Sequence, residues 1–99
     1  MAKYVLSNHA VDDLSKIWDY TYEVWWENQA DKYYFELFSD CQELAENHTL
    51  GKNYNEIEKD LFGYQSGRHL IFYRILNVAK IEVIRILHSR MDLKNRMQE

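Results

Sequence analysis

The chain has 99 residues, with 12 Lys and Arg against 16 Asp and Glu, a formal net charge of -4, no proline and a single cysteine. A chain of this length buries roughly two thirds of its unfolded surface, so residues 1–99 are expected to form one domain whose core needs no staple. The acidic balance argues against a generic nucleic-acid binder, which needs clustered Lys and Arg. With no leader pattern at the start and no apolar run near the 18 or so residues of a membrane span, a soluble cytoplasmic protein is expected.

Residues 3–7, KYVLS, read as a short opening strand. In the following SNHAVDD, Ser7 or Asn8 can cap a helix starting near residue 9, with Asp12 and Asp13 in its first turn facing the positive end of the dipole. Val11, Leu14, Trp18, Tyr22 and Trp25 recur at three- and four-residue steps with Ile17 beside them, predicting an amphipathic helix with Trp18 and Trp25 in the core. Trp26 falls about 100° away from that stripe. WENQAD interrupts the pattern, and Asn28 with Asp31 resembles a cap for a second helix. Its stripe is Ala30, Tyr33, Leu37, Cys41 and Leu44, widened by Tyr34, Phe38 and Ala45, so Cys41 is a buried thiol. Two such helices predict an antiparallel hairpin.

The second helix should end near ENHTLGK, where Gly51 frees the chain. Lys52 to Lys59 is polar and aperiodic and reads as a loop with at most one helical turn. DLFGYQSG then predicts a short strand and a turn at Ser66 and Gly67. Two strongly β-forming runs follow, HLIFYRIL and IEVIRILH, and the charged residues 89–99 close the chain as a tail or frayed helix.

Pairing Ile75 with Ile81 places Tyr73 opposite Val83, Ile71 opposite Arg85 and His69 opposite Leu87 on one face. The other face then pairs Arg74 with Glu82, Phe72 with Ile84, Leu70 with Ile86 and Arg68 with His88. Both faces are apolar, whereas a small antiparallel sheet usually keeps one for water. The helical hairpin can cover one. Leu70, Phe72, Ile84 and Ile86 therefore predict a surface for a partner segment or for the chain's own tail.

Taken together, YVLSNHAVDDLSKIWDYT, WWENQADKYY, LAENHTLGK, GRHLIFYRI and IEVIRILHSRMD resemble the ParE branch of the RelE/ParE superfamily, the toxin halves of bacterial type II toxin-antitoxin pairs. They span nearly the whole chain in the expected order. The chain departs from the common pattern at Asn8 and His48, where the family often has proline; both are helix boundaries at which proline is not required. The resemblance implies an α+β fold: a short strand, a two-helix antiparallel hairpin and a small antiparallel sheet. It implies a ParD-like antitoxin laid along the toxin in a hetero-oligomer, covering the spare face by coupled folding and binding. It also implies DNA gyrase as target and a role in plasmid stabilisation, without direct sequence-specific nucleic-acid binding, membrane or cofactor.

RelE-like relatives instead cut messenger RNA on the ribosome, which needs a base, an acid and cations. His69, Arg68, Arg74, Arg85, His88, Arg90 and Tyr73 are suitable types, and Arg68, His88 and Arg90 form the ribonuclease alternative at the sheet end. Alternation puts His69 and Arg68 on opposite faces, however, and gives Arg74 to Glu82. The HSRMD cluster is otherwise a structural corner, in which His88 and Asp92 bond the chain end, or a target contact through His88, Arg90, Met91 and Asp92. No Cys/His spacing suggests a metal site, and Gly51, Gly63 and Gly67 match no phosphate loop. A gyrase-binding toxin without chemistry, a ribosome-dependent endoribonuclease and a degenerate, non-toxic antitoxin-binding subunit are the three functional expectations.

Overall fold

The computed structural model describes residues 2–88, with the backbone alone for residues 24–27. Five strands form one mixed sheet in the order β1-β5-β4-β3-β2: β1 Lys3–Leu6, β2 Lys52–Asn53, β3 Phe62–Ser66, β4 His69–Asn77 and β5 Lys80–His88. All neighbours are antiparallel except β1, which runs parallel to β5 with Tyr4 beside Ile81. The expected antiparallel sheet is thus completed by one parallel edge, because the helices return the chain to the side from which it started.

One helical segment, α1, runs over Asn8–Glu46. It is not straight. The Trp18 and Tyr34 rings lie 5.5 Å apart, where an unbroken rod would separate them by about 24 Å along its axis. The helix therefore doubles back into two antiparallel limbs, and the expected hairpin is present. No cap at Asn28 divides it, since helical backbone continues through that position.

Ser7 is the N-cap: its Oγ accepts from the Ala10 N–H at 3.0 Å and donates to the Ile84 carbonyl at 2.6 Å, pinning the helix start to β5. With the helix beginning at Asn8, Asp12 and Asp13 fall in the second turn instead of the first. The buried stripe of the first limb is also rotated from the expected one. Ala10, Leu14, Ile17 and Thr21 are buried, whereas Val11 and Tyr22 are exposed. Trp18 instead packs edge-on against Tyr34 on the second limb, which in turn meets Phe38. The second limb follows expectation: Ala30, Leu37, Cys41, Leu44 and Ala45 are buried.

The sheet has a core on each side. Towards the helices, Ile71, Tyr73, Ile81, Val83 and Ile86 join Leu14, Leu37 and Leu44. On the other side Leu70, Phe72 and Leu87 join Leu61, with Tyr54, Ile57 and Ile84 packed against them. The second face is therefore covered by the chain between β2 and β3, within the polar segment expected to be a loop with at most one helical turn. Asn53 and Asn55 shape it by accepting from the backbone of Asn55 and Asp60 at 2.8 and 2.9 Å, and Glu58 meets Arg74 at 3.1 Å. Its apolar residues are driven inward, each contributing about 1.5–3 kcal/mol when fully buried.

The predicted register holds at Ile75–Ile81, Arg74–Glu82 and Tyr73–Val83, then slips by one residue. Beyond Tyr73, Phe72 faces Arg85, Ile71 faces Ile86, Leu70 faces Leu87 and His69 faces His88, which leaves Ile84 as an extra residue in β5. The bulge turns Ile86, Leu87 and His88 to the faces opposite those predicted, while Arg85 stays toward the helices on Asp13.

Candidate functional site

The slipped register creates a cleft of about 470 Å³ where the first limb of α1, the start of β4 and the end of β5 meet. Lys16, Ile17 and Tyr20 come from the helix, Arg68 and His69 from the turn and first residue of β4, and His88 from the end of β5. The turn is a two-residue connection in which Gly67 takes φ +57, the left-handed conformation that glycine adopts without a side-chain penalty. A Cβ at Gly67 would meet the Tyr33 ring at 2.8 Å, so the glycine also admits the tyrosine.

Tyr33, from the second limb, organises this corner. Its hydroxyl accepts from the Arg68 N–H at 3.0 Å and lies 2.5 Å from His69 Nδ1. The Ser66 carbonyl is 3.5 Å from the same hydroxyl. The much shorter contact takes the phenolic proton, which assigns Nδ1 as acceptor and leaves the imidazole proton on Nε2. Burial, then the neighbouring His88, with Arg68 acting the same way and Asp13 against it, push the His69 pKa down to about 4. His69 is therefore neutral near pH 7, and its ring sits edge-on to His88 with centroids 5.4 Å apart.

Asp13 lies at the inner wall, and its carboxylate is fully engaged. Arg85 Nε donates to Oδ2 at 2.8 Å, Arg85 Nη2 to Oδ1 at 3.1 Å, and the Ile86 N–H to Oδ2 at 3.0 Å. Both side chains are less than 10% exposed (8% and 7%), so this fork is a buried charge pair of two-point geometry. Lys16 and Arg68 also line the cleft.

The structure thus brings Arg68 and His88 together as the sequence suggested, and adds His69, which simple alternation had placed on the far side from Arg68. Arg90, Met91 and Asp92 lie outside the described residues. Leu70 and Phe72 are buried on the opposite face beneath Tyr54, Ile57 and Leu61, and Ile84 is half-buried beside them. Ile86, expected on that same face, is buried on the helix side and forms part of the cleft floor. The supposed open patch is therefore closed by the chain itself. Asp13, Lys16 and Tyr33 were not singled out by sequence. The available signal was Arg85, a charge within an apolar strand that requires a carboxylate opposite.

Among the described residues no group of three His, Cys, Asp or Glu side chains is placed to hold a metal ion, and no helix is long and apolar enough to cross a membrane.

Comparison with known proteins bears on what such a fold does. The family described as the ParE toxin of the type II toxin-antitoxin system parDE matches residues 4–93. A protein named Toxin ParE1 from Mycobacterium tuberculosis is 37% identical over 92 residues, 93% of this chain and 94% of its own. Toxin ParE1 of Caulobacter vibrioides is 33% identical over 94 residues, 95% and 96% of the two chains. Among solved structures, a chain of the chromosomal ParDE system from P. aeruginosa superposes with a TM-score of 0.75 at 16% identity, covering 89% of this chain and 96% of that one, a likeness of fold.

Proposed function

Because the chain belongs to the ParE toxin family of type II toxin-antitoxin systems, we propose that it inhibits DNA gyrase in the cytoplasm by binding and that a ParD-like antitoxin neutralises it in a hetero-oligomer. The observation that carries this reading is likeness along almost the whole length of two proteins named as ParE toxins.

Binding without chemistry fits the cleft. Strand cleavage needs a lone pair for the 2'-hydroxyl proton. His69 has its Nδ1 closed by Tyr33, and Asp13 has both oxygens engaged by Arg85 and Ile86. The test is a supercoiling and cleavage assay with purified protein, gyrase from the source organism, ATP and plasmid. Inhibition or trapped cleaved DNA, reversed by antitoxin, is expected. Gyrase that remains fully active with a saturating amount of folded protein refutes the reading.

One observation favours the ribonuclease alternative: Arg68 and His88 do line a single cleft. In that reading His88 is the base and Arg68 holds the phosphate. Wild-type protein that leaves messenger RNA intact on translating ribosomes removes it. Cleavage lost in a folded His88→Ala variant supports it.

A further inference from the structure

The helical hairpin carries a second concavity, whose lining shares no residue with the cleft. Trp18 and Asp19 of the first limb meet Asp31, Tyr34, Phe35 and Phe38 of the second across a groove of about 520 Å³. On the second limb these positions recur at three- and four-residue steps, so they share one side of the helix. The rings form a chain. Trp18 meets Tyr34 with centroids 5.5 Å apart and Tyr34 meets Phe38 at 4.8 Å, both edge to face, and Phe35 stands 70% exposed beside them. Asp19 is exposed and Asp31 half-buried, and neither carboxylate meets a donor or a cation among the described residues. The surroundings have the same sign: α1 holds 10 of the 16 acidic residues and, with Lys16 and Lys32, 2 of the 12 basic ones, a formal charge of -8 where the whole chain carries -4.

We propose that this groove binds a small aliphatic polyamine, its ammonium groups on Asp19 and Asp31 and its methylenes over Trp18, Tyr34, Phe35 and Phe38. Ammonium groups gain from the carboxylates through charge-assisted bonds and from the ring faces through the aromatic quadrupole. The field of the acidic helical segment draws in a multivalent cation and repels an anion. A neutral apolar ligand would cover the rings but strip water from the carboxylates without pairing them. A hard metal ion wants six or more oxygen ligands and has no use for aromatic rings, and among the described residues no group of three His, Cys, Asp or Glu side chains is placed to hold one. Two carboxylates, one from each limb, suit a free molecule charged at both ends better than a single tethered ammonium. The proposal goes beyond the toxin reading, since it stands on the outer groove of the hairpin and requires no particular target.

The test is an NMR titration of the full labelled chain at fixed ionic strength with four probes: spermidine, an uncharged diol of similar length, magnesium ion and a blocked dilysine peptide. Spermidine is expected to shift the Trp18 indole N–H and the amides of Asp19, Asp31 and Phe35 saturably, while the diol and magnesium leave them in place. Asp19→Asn and Asp31→Asn should each weaken spermidine about two- to fivefold, as loss of an exposed ion pair requires, with Asp31→Glu retaining it. Phe35→Ala should weaken it by a similar factor through the lost ring. Glu43→Gln removes a charge from the same helical segment outside the groove and should leave binding unchanged. Thermal melts establish that each variant is folded. No saturable shift, an equal response to magnesium or the diol, a loss with Glu43→Gln as large as with Asp31→Asn, or tighter binding of the dilysine peptide at these residues overturns the proposal. Neither gyrase nor antitoxin is in the tube, so this result and that of the supercoiling assay stand apart.

Discussion

Replacing Asp13 with alanine should destabilise the protein more than any other single truncation on the first helical limb. Three donors converge on that carboxylate, at 2.8, 3.1 and 3.0 Å, and the pair is only 8% and 7% exposed. Removing one partner of such a pair leaves the other charge without its counterion in a poorly solvated site, a loss of about 3–5 kcal/mol. Against a total stability of roughly 5–15 kcal/mol, this is a large fraction. For a domain of this size each kcal/mol moves the midpoint by roughly 4–8 °C, so a fall of about 12 °C or more is expected. Urea unfolding followed by tryptophan fluorescence, with thermal melts alongside, measures both. The partner change settles the cause: with Arg85→Met added to Asp13→Leu, part of the loss should return, because no buried charge is then left without its counterion. A folded Asp13→Ala protein within about 1 kcal/mol of wild type would refute the claim that the fork is desolvated.

Other consequences can be checked on the same material. His69 is held down to about 4 from an ordinary value of 6.5, so its neutral form is the folded one; its contribution to stability is complete above about pH 6.5 and is lost as pH falls towards 4. An imidazole titration by NMR should find the low midpoint, and one at or above 6.5 contradicts the described environment. Leu61→Ala should cost about 2–5 kcal/mol and speed amide exchange at Leu70 and Phe72, because Leu61 is fully buried over them; Val78→Ala, 89% exposed at the hairpin tip, should change stability by less than about 0.5 kcal/mol. Burial pushes the Cys41 thiol up to about 12, so a disulfide reagent at pH 8 should leave the native chain unlabelled and react only on unfolding. Rapid labelling of the native chain would show the second limb to be loosely packed.

The helical hairpin and the strand order of the β3–β4–β5 meander were legible because apolar spacing states them directly: Leu37, Cys41 and Leu44 on one helix, and two β-branched runs flanking a tight turn. The direction of β1 was not legible, since its orientation depends on where two helical limbs deliver the chain. The rotated stripe of the first limb has a similar origin. Trp18 and Tyr22 are large and apolar, yet Trp18 serves the contact between limbs, a demand that periodicity cannot separate from burial against a sheet. The cover of the second face was hidden by polarity. Tyr54, Ile57 and Leu61 are spaced to point one way, but the Asn, Glu, Lys and Asp residues between them dominate the composition of that stretch. At the cleft, Arg68 and His88 were visible as residue types. Tyr33 and Asp13 were not, because each had a satisfactory local explanation, as helix stripe and as dipole partner.

The surplus residue at Ile84 makes chain length itself a functional coordinate. Ahead of it, odd-numbered positions of β5 look toward the helices; behind it, Ile86 does, and His88 meets His69. A substitution within this stretch alters one contact, whereas a deletion there would carry Ile86 and His88 together to the side occupied by Phe72 and draw Leu87 inward. Residues 83–88 should therefore tolerate exchanges of similar side chains far better than any change in their number. A library that varies composition at fixed length and one that varies length at fixed composition should differ sharply in how many members keep the cleft.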